Sequence, residues 1–168
     1  PRVVIWEEGD YWWQDNYWDQ NGIDNMVSAS IRTLTSKAYD SDAWHEIFRY
    51  FNAAHARGSR GYEQWEKIAI KINQNNTWSH TNNNNINSSP HLLLALLKSL
   101  IIAGGISEDK ITIYDASRFI TDNIFNKCHV AFPNVSFVDH IGGNGRIKAT
   151  YQYSAIPYSI DNGSLAQG

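Results

Sequence analysis

A strand–helix–strand pattern in the middle of the chain constrains the fold more than any other feature. The segment KIAIKIN (residues 67–73) has the β-branched content of a buried strand. After an asparagine-rich stretch comes SPHLLLALLKSLIIAG (residues 89–104), which has the length and the closing glycine of a helix, and then a second strand, KITIYDA (residues 110–116). Because such crossovers are right-handed almost without exception, we expect two parallel strands that are covered by helices.

The flanking segments extend this pattern on both sides. Before it, apolar residues at helical spacing predict one helix over Asp24–Leu34 and a second helix that begins near Asp40. After it, we expect a short helix over Phe119–Cys128 and a third strand of the same sheet in VSFVDH (residues 135–140). Residues 142–163 alternate in the way that is typical of a hairpin or of edge strands. The chain is therefore predicted to have an α/β fold, a three-layer, Rossmann-like domain whose mostly parallel sheet is flanked by helices and ends in a C-terminal hairpin or edge strands.

The chain is long enough for one continuous core. It has 168 residues, of which 42% are hydrophobic, and we interpret residues 1–168 as a single domain or as the N-terminal part of a longer one. Residues 1–20 stand out because they contain YWWQDNYWDQ. This aromatic-rich segment is typical either of a lid over the core or of a surface that binds a partner protein or a glycan.

Charge and cysteine content exclude several classes of function. With a net charge of −3, the chain has no excess of basic residues to hold a nucleic-acid backbone. No apolar stretch is long enough for a transmembrane segment. The single cysteine, Cys128, excludes an internal disulfide, a cysteine-rich zinc site and an iron–sulfur cluster held by this chain alone. The low charged fraction and the abundance of Asn, Ser and Thr favour an exported protein, periplasmic or extracellular.

Polar residues follow each predicted strand of the sheet. In an open parallel sheet, ligands bind at the carboxyl ends of the strands, where loops and helix N-termini meet. The candidates are Lys71, Asn73, Asn75 and Asn76 after the first strand, Asp115, Ser117 and Arg118 after the second, and Asp139 and His140 after the third. We predict catalytic roles for Lys71, Asp115 and Asp139, and ligand binding by Asn73, Asn75, Asn76, Ser117 and Arg118. The start of the helix at Ser89 lies at the same end, so an anionic ligand is expected.

Each candidate also has a purely structural interpretation. Lys71 could lie on a half-exposed strand face, Asp115 could cap a turn, and Arg118 could pair with Asp115 or Asp139 as a structural ion pair. His80 and His91 fall near the same end, but no carboxylate is positioned beside them in the sequence, so no metal site is predicted. No dinucleotide fingerprint, P-loop or nucleophile elbow is present, and no cofactor can be named.

Three of these segments carry a resemblance to a known family. The stretches KIAIKINQNN, SSPHLLLALLKSLIIAGGISEDKITIYDAS and FPNVSFVDH resemble the bacterial family known as DUF362 in their order and spacing. Residues 26–48 resemble the segment that precedes this domain in a secreted or periplasmic branch of the family. The resemblance implies family-like polar positions at Lys71, Asn73, Asn75, Asp115, Ser117 and Asp139.

The family resemblance does not imply a reaction. The family has no settled biochemical role, and the iron–sulfur segment of some members has no counterpart in a chain with one cysteine. Family members usually continue beyond the equivalent of Ala155 with a segment that is not found here, so the chain resembles either a fragment or a member shortened on its C-terminal side.

Two functions from different classes fit the sequence. In the first, the chain is a ligand-binding or enzyme-like domain in which Lys71 and Arg118 neutralise a polar or anionic small molecule. Asp115 or Asp139 would then serve as acid or base, and the asparagine amides would supply hydrogen bonds. In the second, the chain is a non-catalytic surface or assembly protein that uses its aromatic and asparagine-rich segments to bind a partner or a glycan. The sequence names no reaction, ligand or oligomeric state.

Overall fold

The computed structural model describes residues 19–75, 77–82 and 87–150, together with the backbone of residues 160–161 and 164–165. In chain order, the helices are α1 (Gln20–Thr35), α2 (Asp40–Ala54), α3 (Pro90–Lys98) and α4 (Asp122–Ala131). The strands are β1 (Ile68–Lys71), β2 (Ile111–Asp115), β3 (Ser136–Asp139), β4 (Ile147–Lys148), β5 (Ile160–Asp161) and β6 (Ser164–Leu165). The aromatic segment of residues 11–18, Asn76 and residues 83–86 lie outside this description.

The first four strands form a parallel sheet in the order β1-β2-β3-β4. This confirms the predicted α/β fold and its parallel strand–helix–strand unit. The crossover helices α3 and α4 contact each other, so both lie on the same face of the sheet. The strand order follows the chain order without a reversal in the described sheet. The three-layer, Rossmann-like arrangement stays a prediction, because the described helices form a layer on one face only.

The covered face of the sheet forms the core. The strand register places Ile70, Ile113 and Phe137 in one row across the three strands. Ile113 and Phe137 are fully buried, and Ile70 packs against the same apolar cluster from the edge strand. The alternate residues Tyr114 and Val138 lie on the opposite face and are half-buried. This alternation is expected when only one face of a sheet packs against helices.

The helices α1 and α2 pack on the helical layer. α1 contacts α3, and α2 contacts α1 and the π-helical continuation of α3 over Ser99–Ala103. The buried Trp44 of α2 donates an indole hydrogen bond to Ser99 Oγ at 2.8 Å. α1 begins earlier than predicted because Asp19, rather than Asp24, caps it by accepting a hydrogen bond from Asn21 N. Asp24 instead binds Lys98 of α3 at 2.6 Å.

The crossover helix α3 agrees with its sequence signals. Ser89 caps it by accepting from Leu92 N, and Pro90 occupies the first turn. Gly105 has a φ of 68° and ends the helical segment, and Ile106 N donates to Leu100 O across this end. The helix predicted from Phe119 begins only at Asp122, because residues 119 and 120 use their N–H groups to bind other loops.

The C-terminal part contains an edge strand, which is one of the two predicted alternatives, and a short antiparallel pair that extends beyond the predicted segment. β4 is a two-residue edge strand, parallel to β3, and β5 and β6 form a separate antiparallel pair. Residues 151–159 of the predicted alternating segment lie outside the description. Across the described residues, no helix has both the length and the apolar character to cross a membrane.

Candidate ligand site at the carboxyl ends of the strands

The loops that follow β1, β2 and β3 meet at the carboxyl end of the sheet, a region called the rim below. Asp115 ends β2 and Asp139 ends β3, and the two residues are paired in the strand register. Both carboxylates are buried, with 1% and 0% of the residue exposed. A buried carboxylate requires hydrogen-bond donors or a cation nearby, and the donors here come from the three loops.

Asp115 binds the loops after β1 and β2. Its Oδ1 accepts hydrogen bonds from Ser117 N and Ser117 Oγ, and its Oδ2 accepts one from Gln74 N at 2.9 Å. The ammonium group of Lys71 lies 3.5 Å from Oδ2. Burial raises the pKa of the Asp115 carboxyl, but these hydrogen bonds and the Lys71 charge outweigh burial, so the pKa lies below its ordinary value. Asp115 is therefore a carboxylate at neutral pH.

Asp139 accepts four hydrogen bonds, two at each carboxylate oxygen. Oδ1 accepts from Ile141 N and Gly142 N, and Oδ2 accepts from Ile120 N and from His80 Nε2 at 2.9 Å. One side chain thus joins the loops after all three strands. Neither Asp115 nor Asp139 presents an unoccupied oxygen to a ligand, so the hydrogen bonds favour a positioning role for both. Their use as acid or base stays a prediction.

The sequence gives no indication of the partner of His80. His80 and Asp139 are 59 positions apart in the chain. The expectation that no carboxylate lies beside His80 is therefore wrong. Because both Asp139 oxygens already accept backbone hydrogen bonds, Oδ2 is the acceptor in this contact and His80 Nε2 is the donor. The other ring nitrogen, Nδ1, lies 3.2 Å from Asn144 Nδ2. Among the described residues, no group of three or more His, Cys, Asp or Glu side chains could hold a metal ion.

The described part of the asparagine-rich stretch is an ordered wall of the rim. Thr77 O accepts from Phe119 N at 3.3 Å, and His80 O accepts from Asp122 N at 2.8 Å. Asn82 Oδ1 accepts from Asn123 N at 2.7 Å. These contacts hold residues 77–82 along the loop that joins β2 to α4. The stretch therefore contributes to the sheet end and is not a detached surface insertion over this range.

The predicted amide donors only partly face outward. Asn73 and Asn75 are exposed, but the Asn73 side chain donates to Asn75 Oδ1 at 2.9 Å. Gln74 and Thr77, which also bind the neighbouring loops, are fully buried and were not predicted as site residues. A glutamine between asparagines carries no sequence signal that separates a buried side chain from an exposed one.

Arg118 pairs with neither buried aspartate, which excludes the structural ion pair that the sequence left open as an alternative to ligand binding. Its Nη1 donates to Ser117 O at 2.8 Å, and its guanidinium lies 4.4 Å from the centre of the Trp78 ring. Trp78 is 63% exposed. Next to this pair, Phe119 contacts His140 with ring centres 6.1 Å apart. This part of the outer surface of the rim is thus formed by one cation and three rings, those of Arg118 and of Trp78, Phe119 and His140.

Arg146 supports the rim and is absent from the sequence-based candidates. Its buried guanidinium donates to Asn144 O, to Ile120 O and to Asp122 Oδ1, and it lies 4.1 Å from the centre of the Phe125 ring.

Cys128 offers no reactive group, since burial raises the pKa of its thiol to about 12.

The rim thus combines an inner layer of buried, hydrogen-bonded polar groups with an outer surface of cations and aromatic rings. Such an arrangement can bind an anion and stack against a flat ligand. Comparisons of the chain with protein-family models, with curated proteins and with solved structures found no match.

Proposed function

We propose that this chain is a DUF362-like domain that binds a small polar anion at the rim, with Arg118 and Lys71 as its cationic contacts. The observation that carries the proposal is the state of Arg118. Its guanidinium forms no ion pair with any described residue and lies on an exposed tryptophan ring. A cation held in place without a neutralising carboxylate is a ready partner for an anion.

The chemistry of arginine suits this role. The guanidinium stays charged at all physiological pH values and presents five N–H donors in a plane, which match carboxylate and phosphate oxygens in pairs. One N–H is used by Ser117 O, and the stacking on Trp78 fixes the plane of the group. Less side-chain freedom is then lost when a ligand binds, which favours affinity.

Lys71 supplies the second positive charge. Its side chain is 50% exposed, and its ammonium group contacts Asp115 Oδ2 and the carbonyl of Ile72. Because Asp115 also receives three hydrogen bonds from Gln74 and Ser117, it does not depend on Lys71 alone. Lys71 can therefore turn one of its three N–H donors to a ligand while it stays near Asp115.

Calorimetric titrations of the purified chain with inorganic phosphate, citrate and malonate at low salt test the proposal. At least one of these anions should bind saturably, and Arg118→Gln should weaken its binding about tenfold, because a charge-assisted hydrogen bond is lost. Lys71→Gln should weaken binding less.

Lys37→Gln is the matched control, since it removes the same charge from the connection between α1 and α2. The absence of saturable binding by all three anions, or equal affinities for Arg118→Gln and Lys37→Gln, would refute the proposal.

A further inference from the structure

A concave surface lies at the end of β1 opposite the rim. This α2–β1 cleft encloses about 600 Å³ and is lined by Phe48 and Phe51 of α2, by Trp65 and by Ile68 at the start of β1. Its volume falls in the range of about 300–1,000 Å³ that is typical of small-molecule sites. The rim begins at the carboxyl end of β1, so the two surfaces share the strand but not their residues.

The floor of the cleft is apolar and partly uncovered. Phe48 packs against the main core, whereas Phe51 is 45% exposed and Trp65 is 64% exposed. The Trp65 indole donates to Glu63 Oε2 at 2.6 Å, which fixes the ring beside the cleft without burying it. Rings held in an exposed position leave apolar area that an apolar ligand would remove from water.

Two cations border this floor. Arg57 and Lys67 line the cleft, and neither forms an ion pair with another residue in the described ranges. The Arg57 guanidinium lies 5.7 Å from the centre of the Phe51 ring. The acid of the lining, Glu66, is buried and accepts a hydrogen bond from Glu63 N at 2.7 Å. Two cations against one anion leave the lining with a net charge of +1.

From this combination we infer that the α2–β1 cleft binds an amphipathic anion, a molecule with a compact apolar body and one carboxylate or similar group. The aromatic floor takes the apolar body, and Arg57 and Lys67 take the charge. A neutral apolar molecule would contact the aromatic floor but would form no ion pair with either cation. The inference is independent of the rim, because it uses none of the rim residues.

Octanoate and 1-octanol are suitable probes, because they share the chain length and differ in charge. In calorimetric titrations, octanoate should bind saturably and more tightly than octanol. Arg57→Gln and Lys67→Gln should each weaken octanoate binding by roughly three- to tenfold and leave octanol unchanged. Trp65→Ala should weaken both probes, and its exposed position allows the variant to fold, which a thermal melt verifies.

The matched control is Lys37→Gln, which removes the same charge between α1 and α2, away from both the cleft and the rim, and should leave octanoate affinity unchanged. Equal affinities for octanoate and octanol would overturn the inference, since the cations would then contribute nothing. Octanoate binding that is unchanged in Trp65→Ala, or that is lost in Lys37→Gln, would place the ligand outside the cleft and would overturn the inference as well.

Discussion

Asp115 and Asp139 occupy paired positions at the ends of neighbouring strands, yet their surroundings differ. Asp115 has a lysine beside it and receives hydrogen bonds from two residues. Asp139 receives four hydrogen bonds, and its ionisable partner is a histidine. Removing either carboxylate would leave at least one buried N–H group without an acceptor, that of Gln74 for Asp115 and those of Ile120 and Gly142 for Asp139, and each such group costs about 1–3 kcal/mol.

The lowered pKa of Asp115 makes its contribution to stability depend on pH. A carboxyl whose pKa is lower in the folded state stabilises the fold above its unfolded pKa of about 3.9, and this stabilisation is lost as the pH falls through the folded value. Asp115→Asn should therefore lower the free energy of unfolding by about 2 kcal/mol at pH 7, and the difference should shrink toward pH 2. Urea unfolding at several pH values measures both.

Asp42→Asn, at an exposed position in the first turn of α2, is the control and should change the free energy of unfolding by less than about 1 kcal/mol. A difference between the wild type and Asp115→Asn that does not change with pH would contradict the assigned role of the carboxylate.

The sequence was sufficient to predict which polar residues end the strands, but not their partners. Lys71, Asp115, Ser117 and Asp139 follow or end strands of the parallel sheet, and strand periodicity alone predicts that position. The partner of Asp139, His80, comes from a loop 59 positions away. Such a pairing depends on how the loops cross the sheet end, which no local pattern encodes.

At the scale of elements, the sequence predicted which segments form helices and strands better than it predicted the residues at which they begin and end. The helix over residues 89–104 and the strands on either side of it carry strong periodic signals, and the structure confirms them. The start of α4 was wrong because Phe119 and Ile120 give their N–H groups to Thr77 and Asp139. Helix ends follow such competing hydrogen bonds, which arise only after the loops have packed.

Two glycines allow the free-energy cost of a positive φ angle to be separated from the cost of a steric clash. Gly105 and Gly142 have φ angles of 68° and 71°, but an added Cβ meets nothing at Gly105 and lies 2.6 Å from Lys148 N at Gly142. Gly105→Ala should therefore reduce the free energy of unfolding by about 1 kcal/mol, from backbone strain alone. Gly142→Ala should cost about 3 kcal/mol, because it also displaces β4.

Chemical denaturation of both variants measures the two costs. Equal losses of stability would show that β4 is not packed tightly against the turn after β3, contrary to the geometry described above.

At the scale of the whole molecule, one apolar cluster connects the helices to the sheet. It includes Trp44 of α2, Leu97 of α3, Ile113 of β2, Phe125 of α4 and Phe137 of β3. A continuous core of this kind predicts a single cooperative unfolding transition. Tryptophan fluorescence and far-ultraviolet circular dichroism should give the same midpoint in urea. Two separate midpoints would show that α1 and α2 unfold independently of the sheet.

The rim and the α2–β1 cleft lie at opposite ends of β1, so variants at one should leave the other unchanged. The most direct test of the central claim is an amide and indole NMR titration of the labelled chain with the tightest of phosphate, citrate and malonate. Saturable shifts should appear at the Trp78 indole and at Arg118, with the Trp65 indole unchanged, and they should be absent in Arg118→Gln. Shifts that do not saturate, or that persist in this variant, would contradict a rim site for anions.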